Sequence, residues 1–311
     1  MLEFLKRRGK REPGWLAISL QPELMHFAHA TSTRDKTVVT KCGSHPILGE
    51  KEFQRALKEL GFDRYQCLTV LAPPDYQLLV VDGPDVPAAE LKNAARWKIK
   101  DMIDYPVDEA TVDVLHIPDP RSGTRARSVY TVAARSEVVR TCMDRFSELR
   151  LRLSVIDIVE TAQRNIAALL EPPGGGVAML YVAKDHVLFT VNFEGELYFT
   201  RRTDVGLEEL ENLAQGASDD AKNRILLELQ RSFDHLERQF PFVNVAKVLI
   251  APTPADTGLQ SYLAENLDIP VEEVRLDQLL ERAPGVELDR ESAWRLFHLI
   301  GAALRGQPAA S

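Results

Sequence analysis

The side chains best suited to move a proton or hold a metal near neutral pH are seven histidines: His26, His29, His45, His116, His186, His235 and His298. No pair stands at HxxxH or HxxE, the intervals that place two ligands on one helical face, so no metal site is expected. His26 and His29 are close in sequence, but in an extended segment they point to opposite sides. The cysteines Cys42, Cys67 and Cys142 are odd in number and far apart, which fits reduced interior thiols better than a disulfide framework or a zinc site. No Walker loop, GxSxG elbow or GxGxxG turn occurs. Gly174-Gly175-Gly176 could be taken for a phosphate cradle, but no strand precedes it and Pro172-Pro173 beside it favour a linker. These residues assemble no catalytic centre.

Composition gives those residues a folded setting. At 311 residues, 45% apolar and 27% charged, the chain can bury two cores, and two domains are the expectation. No run of about 18 apolar residues is present to span a bilayer. The N-terminus MLEFLKRRGKR lacks an apolar stretch after its charges, so no secretory signal is read and a cytoplasmic location is expected. The net charge of -8 argues against a general nucleic-acid binder. Positive charge does gather at the tip, where Lys6, Arg7, Arg8, Lys10 and Arg11 follow Leu2, Phe4 and Leu5. Such a tail could touch an anionic leaflet, at roughly 1 kcal/mol per basic residue, as a weak and reversible contact. The plainer reading is a solvated terminus.

Two halves of the chain open alike. Trp15 to Leu20, Leu24 to Ala30 and Thr37 to Cys42 read as three short strands with turns at Gln21-Pro22 and Arg34-Asp35. Met179 to Ala183, Val187 to Phe193 and Glu196 to Arg202 repeat the pattern, with turns at Lys184-Asp185 and Glu194-Gly195. Helix and strand alternate after each meander. Asn223 to Phe240 sets Leu226, Leu229, Phe233, Leu236 and Phe240 at steps of 3 and 4, Val245 to Ile250 reads as a buried strand, and Leu259 to Leu267 as a helix. Glu171-Pro-Pro-Gly-Gly-Gly176 between the halves reads as a hinge. A final helix has Asp289 as its cap, Ala293, Phe297, Ile300 and Leu304 as its apolar stripe, and Gly306 as its end. A meander with alternating helices and strands, used twice about a hinge, is the organisation of a duplicated ribonuclease-H-like fold, as in actin-like ATPases.

Several segments carry a resemblance over nearly the whole chain: Gly83 to Val114 (GPDVPAAELKNAARWKIKDMIDYPVDEATVDV), Ile156 to Ile166 (IDIVETAQRNI), Glu228 to His235 (ELQRSFDH) and Ile300 to Arg305 (IGAALR). They resemble the PilM-type, actin-like proteins that scaffold bacterial type IV pilus assembly, and among these the members serving mannose-sensitive haemagglutinin (MSHA) pili. The resemblance implies an α/β, actin-like ATPase fold. Its first domain would span 1–170 with an inserted subdomain at about 83–150, its second 177–286, and a helix at 287–306 would return to the first.

Actin-like ATPases grip phosphates with two hairpin loops of the form Asp-x-Gly, where the carboxylate holds Mg²⁺ through water and glycine admits backbone N–H groups to the oxygens. Here Ser19 and Gln21 stand at those two positions of the first loop, and Tyr181 and Ala183 at those of the second. The glycine-rich turn over adenosine falls on Pro252, Thr253 and Pro254, where two prolines remove donors. Three independent departures argue against ATP hydrolysis and against tight Mg-ATP binding, so no cofactor is expected.

A binding surface has better support. On a helix from Ala88 to Met102, Leu91, Ala94, Ala95, Ile99 and Met102 share a face. Trp97 sits about 140 degrees from that stripe, with Asn93, Lys100 and Asp101. It is either packed under a neighbouring subdomain or offered to a partner. In PilM-type relatives this subdomain and the first domain take the short cytoplasmic tail of a PilN-like inner-membrane protein. The resemblance therefore implies a cytoplasmic scaffold, peripheral at the inner membrane, linking that tail to the assembly ATPase. A nucleotide-responsive version of the same scaffold is the alternative.

Overall fold

The computed structural model describes residues 12–32, 36–84, 86–119, 128–212 and 216–306. The basic tip Lys6, Arg7, Arg8, Lys10 and Arg11 lies outside them, as does the turn at Arg34-Asp35.

The first lobe begins with an antiparallel meander of β1 (Trp15–Leu20), β2 (Leu24–Ser32) and β3 (Thr37–Pro46), then α1 (Glu50–Glu59) and β4 (Gln66–Leu71), which pairs parallel to β1. Both faces of this sheet are covered, so its strands are apolar on both sides instead of alternating cleanly. Leu16, Ile18, Met25 and Phe27 pack against Phe53 and Leu57 of α1, while Ala17, Ala28 and Ala30 line the opposite core.

An insertion follows: β5 (Tyr76–Asp82), α2 (Leu91–Lys98), β6 (Ala110–His116) and β7 (Ser128–Arg135). Its strands form a separate antiparallel sheet ordered β5-β7-β6. Its bounds differ from the expected 83–150. The strand ahead of Gly83 pairs with β7 and so belongs to the insertion, which therefore starts at Tyr76. At the other end α3 (Ser136–Glu148) buries Phe146 with Phe53 and Phe62 in the first lobe, so the insertion closes at Arg135. Strand pairing sets these edges, not the Gly-Pro punctuation. The first lobe then resumes with β8 (Leu153–Ile158), parallel to β4, and α4 (Val159–Ala167).

The second lobe repeats the plan. It comprises β9 (Gly176–Val182), β10 (Val187–Phe193), β11 (Glu196–Thr203), α5 (Leu207–Leu210), α6 (Ala217–Gln239), β12 (Val245–Ile250), α7 (Leu259–Asn266), β13 (Val271–Glu273) and α8 (Leu276–Leu279). Its strand order, β11-β10-β9-β12-β13, matches the β3-β2-β1-β4-β8 run of the first sheet. The return begins earlier than 287, because β14 (Glu281–Arg282) already pairs with β3 at the edge of the first sheet. The last helix, α9 (Arg290–Ala303), packs across β1, β2 and β4 and along α4. Asp289 caps it, its carboxylate accepting from the Ser292 N–H at 2.8 Å.

The linker's glycines serve packing as well as turning. A Cβ on Gly176 would come within 2.6 Å of the Asn192 carbonyl oxygen, so the chain enters the second sheet at a point that excludes a side chain.

Candidate functional site

The loop positions compared with those of an actin-like ATPase lie in the β1–β2 hairpin, the β9–β10 hairpin and the segment after β12. In the first hairpin Ser19 pairs with His26, and the Gln21 N–H donates to Leu24 at 2.9 Å. The Gln21 carbonyl accepts from Arg145 Nη2 at 3.0 Å. His26 shares a 2.6 Å hydrogen bond with the Ser44 hydroxyl, and burial holds its pKa below the usual value.

At the second hairpin the Ala183 N–H donates to the His186 carbonyl at 2.8 Å, closing the turn at Lys184-Asp185. The start of α5 clamps this turn from outside: Leu207 and Glu208 N–H groups donate to the Ala183 and Lys184 carbonyls at 2.9 and 3.2 Å. Gly206 lies so close that a Cβ would meet the Lys184 oxygen at 2.4 Å. Asp185, the nearest acid, is bonded to His186 Nδ1 at 2.8 Å, and that bond lowers its pKa.

Tyr181 does not leave a gap. Its hydroxyl donates to the Trp294 carbonyl at 3.1 Å, and its ring lies 4.2 Å from the His298 ring and 5.6 Å from the Phe297 ring, centroid to centroid. Trp294, half-buried, donates its Nε1 hydrogen to the Val182 carbonyl at 2.7 Å. An aromatic cluster from β9 and α9 thus occupies the space beside the second hairpin. Burial, with His186 and Arg202 adding positive charge nearby, pushes the His298 pKa down to about 3, so the ring is neutral there. At the third element Pro252 and Thr253 are buried, and the Thr253 carbonyl accepts from Arg290 Nε at 2.7 Å. Arg290 in turn meets Glu273 at 2.6 Å. The turn is therefore tied to the N-terminal end of α9.

Two buried carboxylates were not singled out by sequence reasoning, although both fall in the Ile156–Ile166 segment. Asp157 receives Arg305 Nη1 at 2.8 Å and the Thr161 hydroxyl. Glu160, 1% exposed, receives the Tyr76 hydroxyl at 2.5 Å and the Arg202 guanidinium. Arg202 also donates to Tyr76 Oη at 2.5 Å. Residues 76, 160 and 202 come from the insertion, the first lobe and the second, and no local pattern could have joined them. Among the described residues, no group of three His, Cys, Asp or Glu side chains is placed to hold a metal ion.

The second candidate surface is on the insertion. Leu91, Ala95 and Ile99 are buried against its sheet, whereas Asn93, Trp97, Lys100 and Asp101 are exposed. Trp97 is 64% exposed, so of its two readings, packed or offered, it is the open one that the geometry gives. The helix ends at Lys98 and not at Met102; a turn closed by the Met102 N–H on the Ile99 carbonyl, 2.9 Å, leaves Met102 outside the core stripe.

A solved structure of the "PilM-PilN type IV pilus biogenesis complex" matches 95% of this chain and 99% of its own, with a TM-score of 0.71 at 17% sequence identity. The fold is actin-like. Further similar structures are the cytoplasmic domain of EpsL, an inner membrane component of the type II secretion system of Vibrio cholerae (TM-score 0.49, 14% identity, 96% and 97% coverage), and a Bacteroides thetaiotaomicron protein of actin-like ATPase fold and unknown function (TM-score 0.46, 11% identity, 85% and 93% coverage). The sequence matches no protein-family model and no curated protein sequence. In this PilM-like frame, the three-stranded sheet with α2 is the inserted subdomain, and α4 and α9 are the two helices that cross between the lobes. Among the described residues no helix is long and apolar enough to cross a membrane.

Proposed function

We propose that this chain is a non-catalytic scaffold of a type IV pilus assembly platform, of the MSHA kind and comparable to MshI, and that its inserted subdomain binds the cytoplasmic tail of a PilN-like inner-membrane protein. The observation that carries the reading is Trp97, a large stiff aromatic held 64% exposed on a helix whose other side buries Leu91 and Ala95. Such a ring gives a partner contact area at low entropic cost. The PilM-like fold supports the choice of partner by analogy. The filled space around Tyr181, Trp294 and His298 supports a role without nucleotide chemistry. In this account the chain works at the cytoplasmic face of the inner membrane and passes contact on to the assembly ATPase, and the basic tip at Lys6 to Arg11 adds a weak attraction to anionic lipid.

Co-purification with the tagged cytoplasmic tail of the PilN-like protein tests the reading. Wild-type protein should be retained and Trp97→Ala protein released. No retention of the wild type would remove the scaffold assignment, and equal retention of both would move the docking surface away from α2.

A further inference from the structure

The insertion does not hang from the first lobe alone. Val81, Val112 and Val129 of its sheet form one core with Ile99, just past α2. Other side chains of the same sheet turn to the second lobe, where Ile117 and Tyr130 belong to the buried cluster of Tyr198 and Phe240 and where Leu78 and Leu115 pack against it. The Tyr130 hydroxyl donates to the Tyr198 carbonyl at 3.0 Å. A smaller core draws on all three parts: Tyr76 and Ala134 from the insertion, Leu71, Ile158 and Val159 from the first lobe, and Leu188 from the second. Next to Val159 stands Glu160, whose carboxylate closes a polar triangle over the same three parts. The Tyr76 hydroxyl donates to one of its oxygens at 2.5 Å and accepts from Arg202 Nη2 at 2.5 Å, and Arg202 also donates to the other oxygen. The guanidinium carbon lies 5.1 Å from the centroid of the Tyr76 ring.

A buried ion pair adds little net stability over apolar packing, but any arrangement that separates its members strands a charge in the interior. With Glu160 at 1% exposure, the triangle therefore selects one placement of the three parts over its neighbours. Its position gives that selection leverage. The chain crosses between the lobes at 168–175, where Gly174 has a φ of +70° and open space around it, a segment that by itself would allow turning. Glu160 precedes Ala167, the last residue of α4, by seven positions, about 10 Å along the helix, so it ties the lobes at a point away from that crossing. We propose that the insertion is a clasp across the two lobes, with Glu160, Tyr76 and Arg202 as its catch, which keeps the linker at Glu171 to Gly176 from acting as a hinge. The chain then presents its surfaces as one rigid body.

Pulsed dipolar spectroscopy on the full chain tests the clasp, with spin labels at Asp63→Cys in the first lobe and Glu237→Cys in the second, both exposed positions, in a Cys42→Ser/Cys142→Ser background that keeps buried Cys67. With the catch intact the two labels should give one narrow distance. Arg202→Glu sets a second negative charge against Glu160, so a second distance should appear while circular dichroism remains that of a folded chain. Tyr76→Phe removes only the bridging hydroxyl and should broaden the distribution less; it decides the question if Arg202→Glu does not fold. A broad distribution with the catch intact would overturn the proposal. So would the same narrow distance in every folded variant.

Discussion

Trp97 and His298 show what single positions decide. Trp97 has little of its surface in the fold, so Trp97→Ala should change stability by less than about 0.5 kcal/mol. As an interface anchor it should cost about 2 kcal/mol or more of tail binding, roughly 30-fold, readable by fluorescence titration beside a melting curve. His298 is held neutral by burial, with a pKa of about 3 against 6.5 in the unfolded chain. Between those values the unfolded chain binds the extra proton, so this residue costs nothing above pH 6.5 and destabilises the fold as pH drops below it, by about 1.4 kcal/mol per unit. Denaturant unfolding of His298→Gln should show a flatter loss of stability between pH 6.5 and 4 than wild type; parallel curves would mean that the ring is not the titrating group. The sequence made the off-stripe position of Trp97 legible, because 3.6-residue periodicity is a local property. It gave no hint of Tyr76, Glu160 and Arg202 meeting, because only the tertiary fold brings them together.

The elements most exposed to error are the crossing helices. Gly301 on α9 sits against α4, and a Cβ there would lie 2.2 Å from the Ala162 carbonyl oxygen. Because the obstacle is backbone, Gly301→Ala should force α4 and α9 apart and cost about 1 to 3 kcal/mol, measured as a lower denaturation midpoint. An unchanged midpoint would show that the helices do not pack this closely. Strands read well from sequence where turns bracket them: the bounds of β1, β10 and β12 match their expected ranges. The insertion's limits did not, because Gly83-Pro84 lies inside the subdomain, after β5, and the true edges depend on which strand β5 pairs with. α2 also ended early, since its apolar spacing continues into a tighter turn that periodicity cannot distinguish from helix.

Across the whole molecule, the repeated strand order makes two related lobes, and α4 and α9 with the insertion join them. Gln163 on α4 donates to the Met179 carbonyl at 3.0 Å and the Thr190 hydroxyl at 2.9 Å, and the Tyr130 hydroxyl of the insertion donates to the Tyr198 carbonyl at 3.0 Å. This duplication was legible from the recurring meander; the aromatic filling between the lobes was not, because it draws on side chains more than a hundred residues apart. A ligand present at 100 times its dissociation constant adds about 2.7 kcal/mol of stability, so millimolar Mg-ATP should leave the melting temperature unmoved if the nucleotide space is filled. The central claim is that the chain holds a membrane protein's tail without help from nucleotide. The most direct measurement is the dissociation constant of the PilN-like tail peptide, taken with and without Mg-ATP. The account predicts saturable binding with the same constant in both; no binding, or a constant shifted about tenfold or more by Mg-ATP, would contradict it.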